Sequence, residues 1–162
     1  MKTTEERLAL FLPGLYEGGA ERIFLNLAKG IAARGFAVDL VLARAEGPYM
    51  EQIPDSVRLV DLNAPRVMGS VPALTKYLLH EKPTVMLSAL FSNIIALCAR
   101  RLSGIPQRVF ISEHNTLSSV VKNQNDLRWQ LYPTLARYIY PWANNIIAVS
   151  KHVANDLAKT AN

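Results

Sequence analysis

Six short apolar runs, separated by stretches of other spacing, constrain this chain more than any other feature. They are Arg7–Leu12, Val38–Ala43, Val57–Leu62, Thr84–Ser88, Arg108–Ser112 and Asn145–Val149. Runs this short, rich in Val, Ile and Leu and bounded by Gly, Pro or polar residues, read as buried strands. The stretches between them carry helical signals. Ala20–Arg34 predicts a helix with Ile23, Leu27, Ala28 and Ile31 on one face, closed by Gly35. Glu46-Gly47-Pro48 breaks the chain after the second strand, and Tyr49–Ile53 suits a short helix. Val71–His80 predicts a helix that Lys82-Pro83 ends, and Asn93–Leu102 another, stopped by Ser103–Pro106. Asp126–Trp142 predicts a helix kinked at Pro133. Ser150 is placed to cap a last helix, Lys151–Lys159.

Strands alternating with helices imply an α/β fold with a parallel sheet covered on both faces. Right-handed crossovers favour a doubly wound, Rossmann-like sheet in the order 3-2-1-4-5-6. At 162 residues, the chain suits a single domain with a real core. Half its residues are apolar and 19% are charged, which excludes a disordered chain. No internal repeat or linker interrupts it. The single cysteine, Cys98, sits in an apolar run, reads as a small buried hydrophobe and fits a reducing compartment. The apolar run after Met1–Arg7 stops at Pro13, too short for a secretory signal. The most apolar window, Val85–Ala99, is broken by Ser88, Ser92 and Asn93 and falls short of a membrane span.

Ligands of such sheets collect beyond the carboxyl ends of the strands. Two polar loops are predicted there. The first, Pro13-Gly14-Leu15-Tyr16-Glu17-Gly18-Gly19, leads from strand one into the first helix. Its glycines allow positive φ or close approach of another molecule. A turn that opens a helix also offers unpaired N–H groups and the positive end of the helix dipole to a phosphate or carboxylate. The second loop begins Glu113-His114-Asn115-Thr116 after strand five. His114 is the sharpest single residue, because an imidazole can polarise a hydroxyl or shuttle a proton near neutral pH. Ser88, Ser92 and Asn93 are expected between the two loops. His80 and His152 fall on helices and read as structural or merely solvated residues. No spacing suits a metal, so none is expected.

A dinucleotide fingerprint needs G-x-G-x-x-G and an acid at the end of strand two. The chain has Gly14-x-x-x-Gly18-Gly19 and Ala43-Arg44-Ala45, with Glu46 reading as a turn residue, so hydride chemistry on a nicotinamide cofactor is disfavoured. The charge is uneven. Residues 1–62 carry seven Lys/Arg against nine Asp/Glu, and residues 63–162 eleven against four. The basic half points to an anionic partner. Nucleic acid is disfavoured, since neither a recognition-helix pattern nor basic-aromatic strands occur. Residues 127–142 hold two Trp, three Tyr and two Arg. These suit a membrane interface or a core-facing helix, and their place between two buried strands favours the core.

Three segments in this order resemble the N-terminal, acceptor-side half of a family 4 glycosyltransferase of GT-B architecture. They are Pro13–Arg22 with its Gly18-Gly19-Ala20-Glu21-Arg22 turn, Ser112-Glu113-His114-Asn115, and Asn144–Lys151. The resemblance covers essentially the whole of residues 1–162. It implies a retaining, metal-independent transfer of a sugar from a nucleotide-diphosphate donor to a glycan or polyprenyl-linked acceptor, as in cell-surface polysaccharide or glycolipid synthesis. It implies that the backbone of Gly18 and Gly19 approaches the donor diphosphate and that His114 lies beside the reacting sugar. Tyr16, Glu17, Glu113 and Asn115 are then acceptor-side candidates, and the nucleotide sugar is a substrate, with no cofactor needed. The expected setting is the cytoplasm, with room for a peripheral contact on the inner membrane face. The family's C-terminal, donor-binding domain is absent from these 162 residues. The isolated chain is therefore expected to be inactive, the partner domain being supplied in cis or in trans. The alternative is a non-catalytic interaction module or split-enzyme subunit with the same fold.

Overall fold

The computed structural model describes residues 6–118 and 127–160. The remainder of the predicted polar loop, residues 119–126, lies outside them. Six strands form one parallel sheet in the order β3-β2-β1-β4-β5-β6, the order expected from the alternation. The strands are β1 Arg7–Leu12, β2 Ala37–Leu42, β3 Val57–Asp61, β4 Val85–Ala89, β5 Arg108–Glu113 and β6 Asn145–Ala148. The helices are α1 Gly19–Ala32, α2 Val71–Glu81, α3 Ser92–Ser103, α4 Leu127–Ile139 and α5 Lys151–Thr160. Pro133 lies inside α4, and a 3-10 turn, Tyr140–Trp142, separates α4 from β6. Ser150 caps α5 as expected, its hydroxyl oxygen accepting from the Val153 amide at 3.2 Å.

Alternation along β1 divides the core in two. Ala9 and Phe11 pack with residues of α2 and α3, such as Leu74, Leu78 and Ile95. Leu10 and Leu12 pack on the other face with Phe24, Leu25 and Ala28 of α1. The buried stripe of α1 is therefore Ala20, Glu21, Phe24, Leu25 and Ala28, and the predicted face is rotated. Ile23 and Leu27 are 47% and 38% exposed. The helix is apolar over a wide arc, and the sheet selects the part that carries Phe24.

On that same face the far strands are only partly covered. Leu10, Val85, Leu87, Phe110 and Ile147 line a shallow apolar groove of about 190 Å³ beside Ile31 of α1. The other face is closed by α2, α3 and α4. There Tyr132, Ala136 and Tyr140 are buried, while Leu131, Tyr138 and Trp142 are exposed. The aromatic segment is thus core along one stripe only, and the side chains of residues 127–129 lie outside the description. Cys98 is half-buried and packs against this core, which lifts its thiol pKa by desolvation.

Asp39 of β2 is 0% exposed and receives hydrogen bonds from four donor atoms. They are Arg7 Nη1 at 2.7 Å, Arg58 Nε at 2.9 Å, Arg58 Nη2 at 2.6 Å and the Tyr77 hydroxyl at 2.6 Å. Arg58 also reaches Glu81 at 2.7 Å. Burial alone would raise the Asp39 pKa, but the Arg58, Tyr77 and Arg7 hydrogen bonds outweigh it and hold the carboxyl below its usual range. The network joins β1, β2, β3 and α2.

Candidate active site

The two predicted loops meet at the carboxyl edge of the sheet. His114 follows β5, and its ring lies 6.2 Å, centroid to centroid, from that of Phe24 on α1, tilted by 60°. The imidazole thus reaches across β4 and β1 to the helix that Gly18 and Gly19 open. Its Nε2 is 3.0 Å from the Ser112 hydroxyl. Ser112 stands two residues back on the same face of β5, a period-2 relation readable in the sequence. Among the described residues Nδ1 has no hydrogen-bond partner, so it is the nitrogen left for a ligand. Burial lowers the His114 pKa below its ordinary 6.5, which keeps the ring neutral at neutral pH and able to accept or donate a proton.

Gly18 enters α1 in an extended conformation. Gly14, Gly18 and Gly19 do not adopt positive φ, contrary to one reason for expecting glycine there. Space explains Gly14, which the Glu46 backbone carbonyl also crowds at 3.2 Å, whereas the neighbour of Gly18 is the end of the Glu21 side chain. A Cβ on Gly14 would come within 2.8 Å of the Tyr16 ring, and one on Gly18 within 2.1 Å of the Glu21 carboxylate. A Cβ on Gly19 would meet nothing within 4 Å. Nothing inside the fold therefore demands glycine at 19, and its bare backbone faces open space. The α1 terminus has no side-chain cap. Its first-turn amides are available to a ligand on the Gly19 side, the Gly18 side being occupied by Glu21.

A second loop locks this one in place. The Leu15 amide donates to the Glu46 carbonyl at 2.9 Å, the Arg44 amide to the Pro13 carbonyl at 3.1 Å, and the Tyr49 amide to the Leu15 carbonyl at 3.2 Å. The Tyr16 hydroxyl donates to the Glu46 carboxylate, which raises the phenol pKa, and Arg44 pairs with the same carboxylate at 3.0 Å. Glu46 is thus a partner of Tyr16 and more than a turn residue. Gly47 has φ +119, and a Cβ there would sit 2.1 Å from the Leu15 carbonyl oxygen. Gly47→Ala is expected to displace the Leu15–Tyr16 segment and destabilise the domain by about 1–3 kcal/mol. Urea unfolding measures the loss, and an unchanged midpoint would show that the two loops separate freely.

Glu17 and Asn115 are exposed at this edge, and Tyr16 is 44% exposed despite its bond to Glu46. Glu113 is different. It is 2% exposed and its carboxylate turns inward to the Tyr140 hydroxyl, away from any acceptor. Ser88, Ser92 and Asn93 are likewise fully buried and do not line the cleft. The Ser88 hydroxyl donates to Asn93 Oδ1 at 2.8 Å, Asn93 Nδ2 to the Ser112 carbonyl at 3.1 Å, and the Ser92 hydroxyl to the Ala89 carbonyl at 2.8 Å. These polar residues tie β4, α3 and β5 together beneath the site. His80 and His152 are exposed on α2 and α5. Among the described residues, no three His, Cys, Asp or Glu side chains cluster to hold a metal. No described helix is long and apolar enough to cross a membrane.

The profile of Glycosyltransferase Family 4 matches residues 17–162. The chain belongs to glycosyltransferase family 4. Among solved structures, this family 4 domain is similar to the sucrose-phosphate synthase of Thermosynechococcus elongatus, at 14% identity and a TM-score of 0.71. The alignment covers 97% of the domain and 45% of that chain, so the domain spans less than half of that relative. The likeness establishes the sheet as a Rossmann-like half of the GT-B architecture. A short-chain dehydrogenase/reductase from Burkholderia vietnamiensis aligns at 15% identity and a TM-score of 0.44, over 95% of the domain and 89% of that chain. No match is found among curated proteins.

Proposed function

We propose that this domain is the acceptor-side half of a retaining, metal-independent glycosyltransferase. The donor is a nucleotide-diphosphate sugar, and the acceptor a glycan or polyprenyl-linked saccharide of cell-surface polysaccharide or glycolipid synthesis. The carrying observation is the pairing of a neutral, half-buried His114 with the open Gly19 backbone on the helix its ring touches. The α1 amides and dipole would offset diphosphate charge, a task that a divalent cation performs in other designs. His114 Nδ1 would hydrogen-bond a hydroxyl of the transferring sugar and so orient it. Tyr16, Glu17 and Asn115 are exposed where an acceptor would lie. The reaction calls for no further cofactor. It does call for a donor-binding half, in cis or in trans, because both reactants must be held in register. Residues 1–162 alone are thus expected to be inactive. The setting is cytoplasmic, and the basic second half suits a peripheral contact with an anionic membrane face.

Gly19→Val tests the diphosphate assignment. A Cβ at 19 meets nothing within 4 Å, so the variant is expected to fold, which its urea unfolding checks. Joined to the donor-binding half, the variant should bind nucleotide-diphosphate sugars at least about tenfold more weakly, a change of about 1.4 kcal/mol. Wild-type donor affinity would remove the diphosphate from this loop.

A further inference from the structure

The aromatic, basic segment at residues 127–142 takes no part in the proposed chemistry, and only one stripe of it is core. Leu131, Leu135 and Tyr138 stand at i, i+4 and i+7, one line along the outer side of α4, and Trp142 follows in the 3-10 turn. All four are exposed. At the amino edge of the sheet, where α3 ends and this turn leads into β6, Arg100 Nη1 donates to the Trp142 carbonyl at 2.7 Å. A cleft of about 450 Å³ opens there, lined by Leu97, Arg100, Arg101, Gly104, Ile105 and Trp142. Leu102, the next residue after Arg101, is 69% exposed, and Tyr138, one turn before Trp142, is 70% exposed. The six residues of β5 hold this cleft about 20 Å from His114.

The charge at this edge is one-sided. Arg100, Arg101, Arg108 and Arg137 stand at this end of α3, β5 and α4, and none has an ion pair among the described residues. Between Lys82 and Ser150 the acids are Glu113, buried at the opposite edge, and Asp126, outside the described residues. A helix C-terminus favours cations, which accounts for Arg100 and Arg101. It accounts neither for Arg108 on a strand nor for the apolar line on α4. A soluble polyanion would satisfy the arginines and leave that line in water. A bilayer surface takes both, since guanidinium groups bind lipid phosphate, Trp and Tyr rings settle at headgroup depth, and leucines enter the acyl boundary. We propose that the outer side of α4, with the cleft of Arg100, Arg101 and Trp142, docks on an anionic lipid bilayer, a headgroup phosphate lying in the cleft. The inference gives a place to the peripheral contact of the proposed function and rests on that part of the reading alone.

The experiment is flotation of the 162-residue chain with vesicles, phosphatidylcholine alone against phosphatidylcholine and phosphatidylglycerol in equal parts, with tryptophan emission as a second readout. The chain should float with the anionic vesicles and not with the neutral ones, and sodium chloride should release it. Arg101→Gln, at an exposed position, should bind about fivefold more weakly, the effect of one guanidinium near an anionic surface. Emission should move to shorter wavelength on binding. Trp142→Phe keeps the carbonyl that Arg100 holds and should lose most of that shift. Lys29→Gln, an equal loss of charge on α1 across the sheet, should bind nearly as the wild type does. Wild-type affinity in Arg101→Gln, or a full emission shift in Trp142→Phe, would overturn this surface and leave the peripheral contact in force. A wild-type chain that ignores anionic vesicles would end both. Duplex DNA bound as tightly as the anionic vesicles, and weakened alike by Arg101→Gln, would make this a general polyanion site and overturn the lipid assignment. None of these results bears on His114 or Gly19, at the other edge.

Discussion

Asp39→Ala is expected to destabilise the domain by about 1–3 kcal/mol, the cost of leaving the buried Tyr77 hydroxyl and two partly exposed guanidinium groups without their shared acceptor. The substitution removes the common acceptor of Arg7, Arg58 and Tyr77. Tyr77, 6% exposed, would keep a buried hydroxyl without its acceptor. Urea unfolding at neutral pH measures the loss as a lower midpoint with little change in slope. The pH dependence gives a second check. The Asp39 carboxyl is held below its usual range in the folded state, so its stabilisation is complete above the ordinary carboxylate pKa of about 3.9. It is lost as pH falls through the depressed folded value. The variant should therefore show a flatter acid limb of stability than the wild type. Equal midpoints at neutral pH would mean that the network adds specificity without net stability.

The second large effect concerns turnover. In an enzyme that includes the donor-binding half, His114→Ala should lower kcat by about 10²–10⁴, the range of a well-placed proton-transfer or polarising group. Folding should change little, because the ring is half-buried and its neighbours Phe24 and Ser112 keep their own supports in α1 and β5. The working form is neutral imidazole, and burial lowers the folded pKa. Activity should then persist down to a pH below histidine's ordinary 6.5 before protonation silences the ring. That acid limb should disappear from the residual rate of the alanine variant. Unchanged turnover would reduce His114 to a structural residue.

Much of the architecture was legible in the residues. The apolar runs placed all six strands to within a residue or so, and the handedness of crossover connections supplied their order. The two loops that meet at the site were found through the turn chemistry of Gly18-Gly19 and the position of His114 after a buried strand. What escaped depended on partners distant in the chain. The face of α1 was misjudged because Ile23, Phe24, Leu25, Leu27, Ala28 and Ile31 cover more than half its circumference, and only contact with β1 and β2 decides among them. Ser88, Ser92 and Asn93 looked like cleft residues because they are polar, yet their partners lie within the sheet and helix below. Glu113 was an acceptor-side candidate through the resemblance of its loop, and the partner that turns it inward, Tyr140, is 27 residues away. Gly47 read as an ordinary turn residue, since the backbone that presses on it is that of Leu15, in the earlier loop.

The partly covered strip of sheet has a colloidal consequence. Leu87, Phe110 and Ile147 offer an adhesive surface on a molecule with a formal charge of +5. Two copies can join along it only by overcoming mutual repulsion. At 0.1 M salt that repulsion reaches about 10 Å. Ionic strength therefore governs how far a solution of the domain can be concentrated.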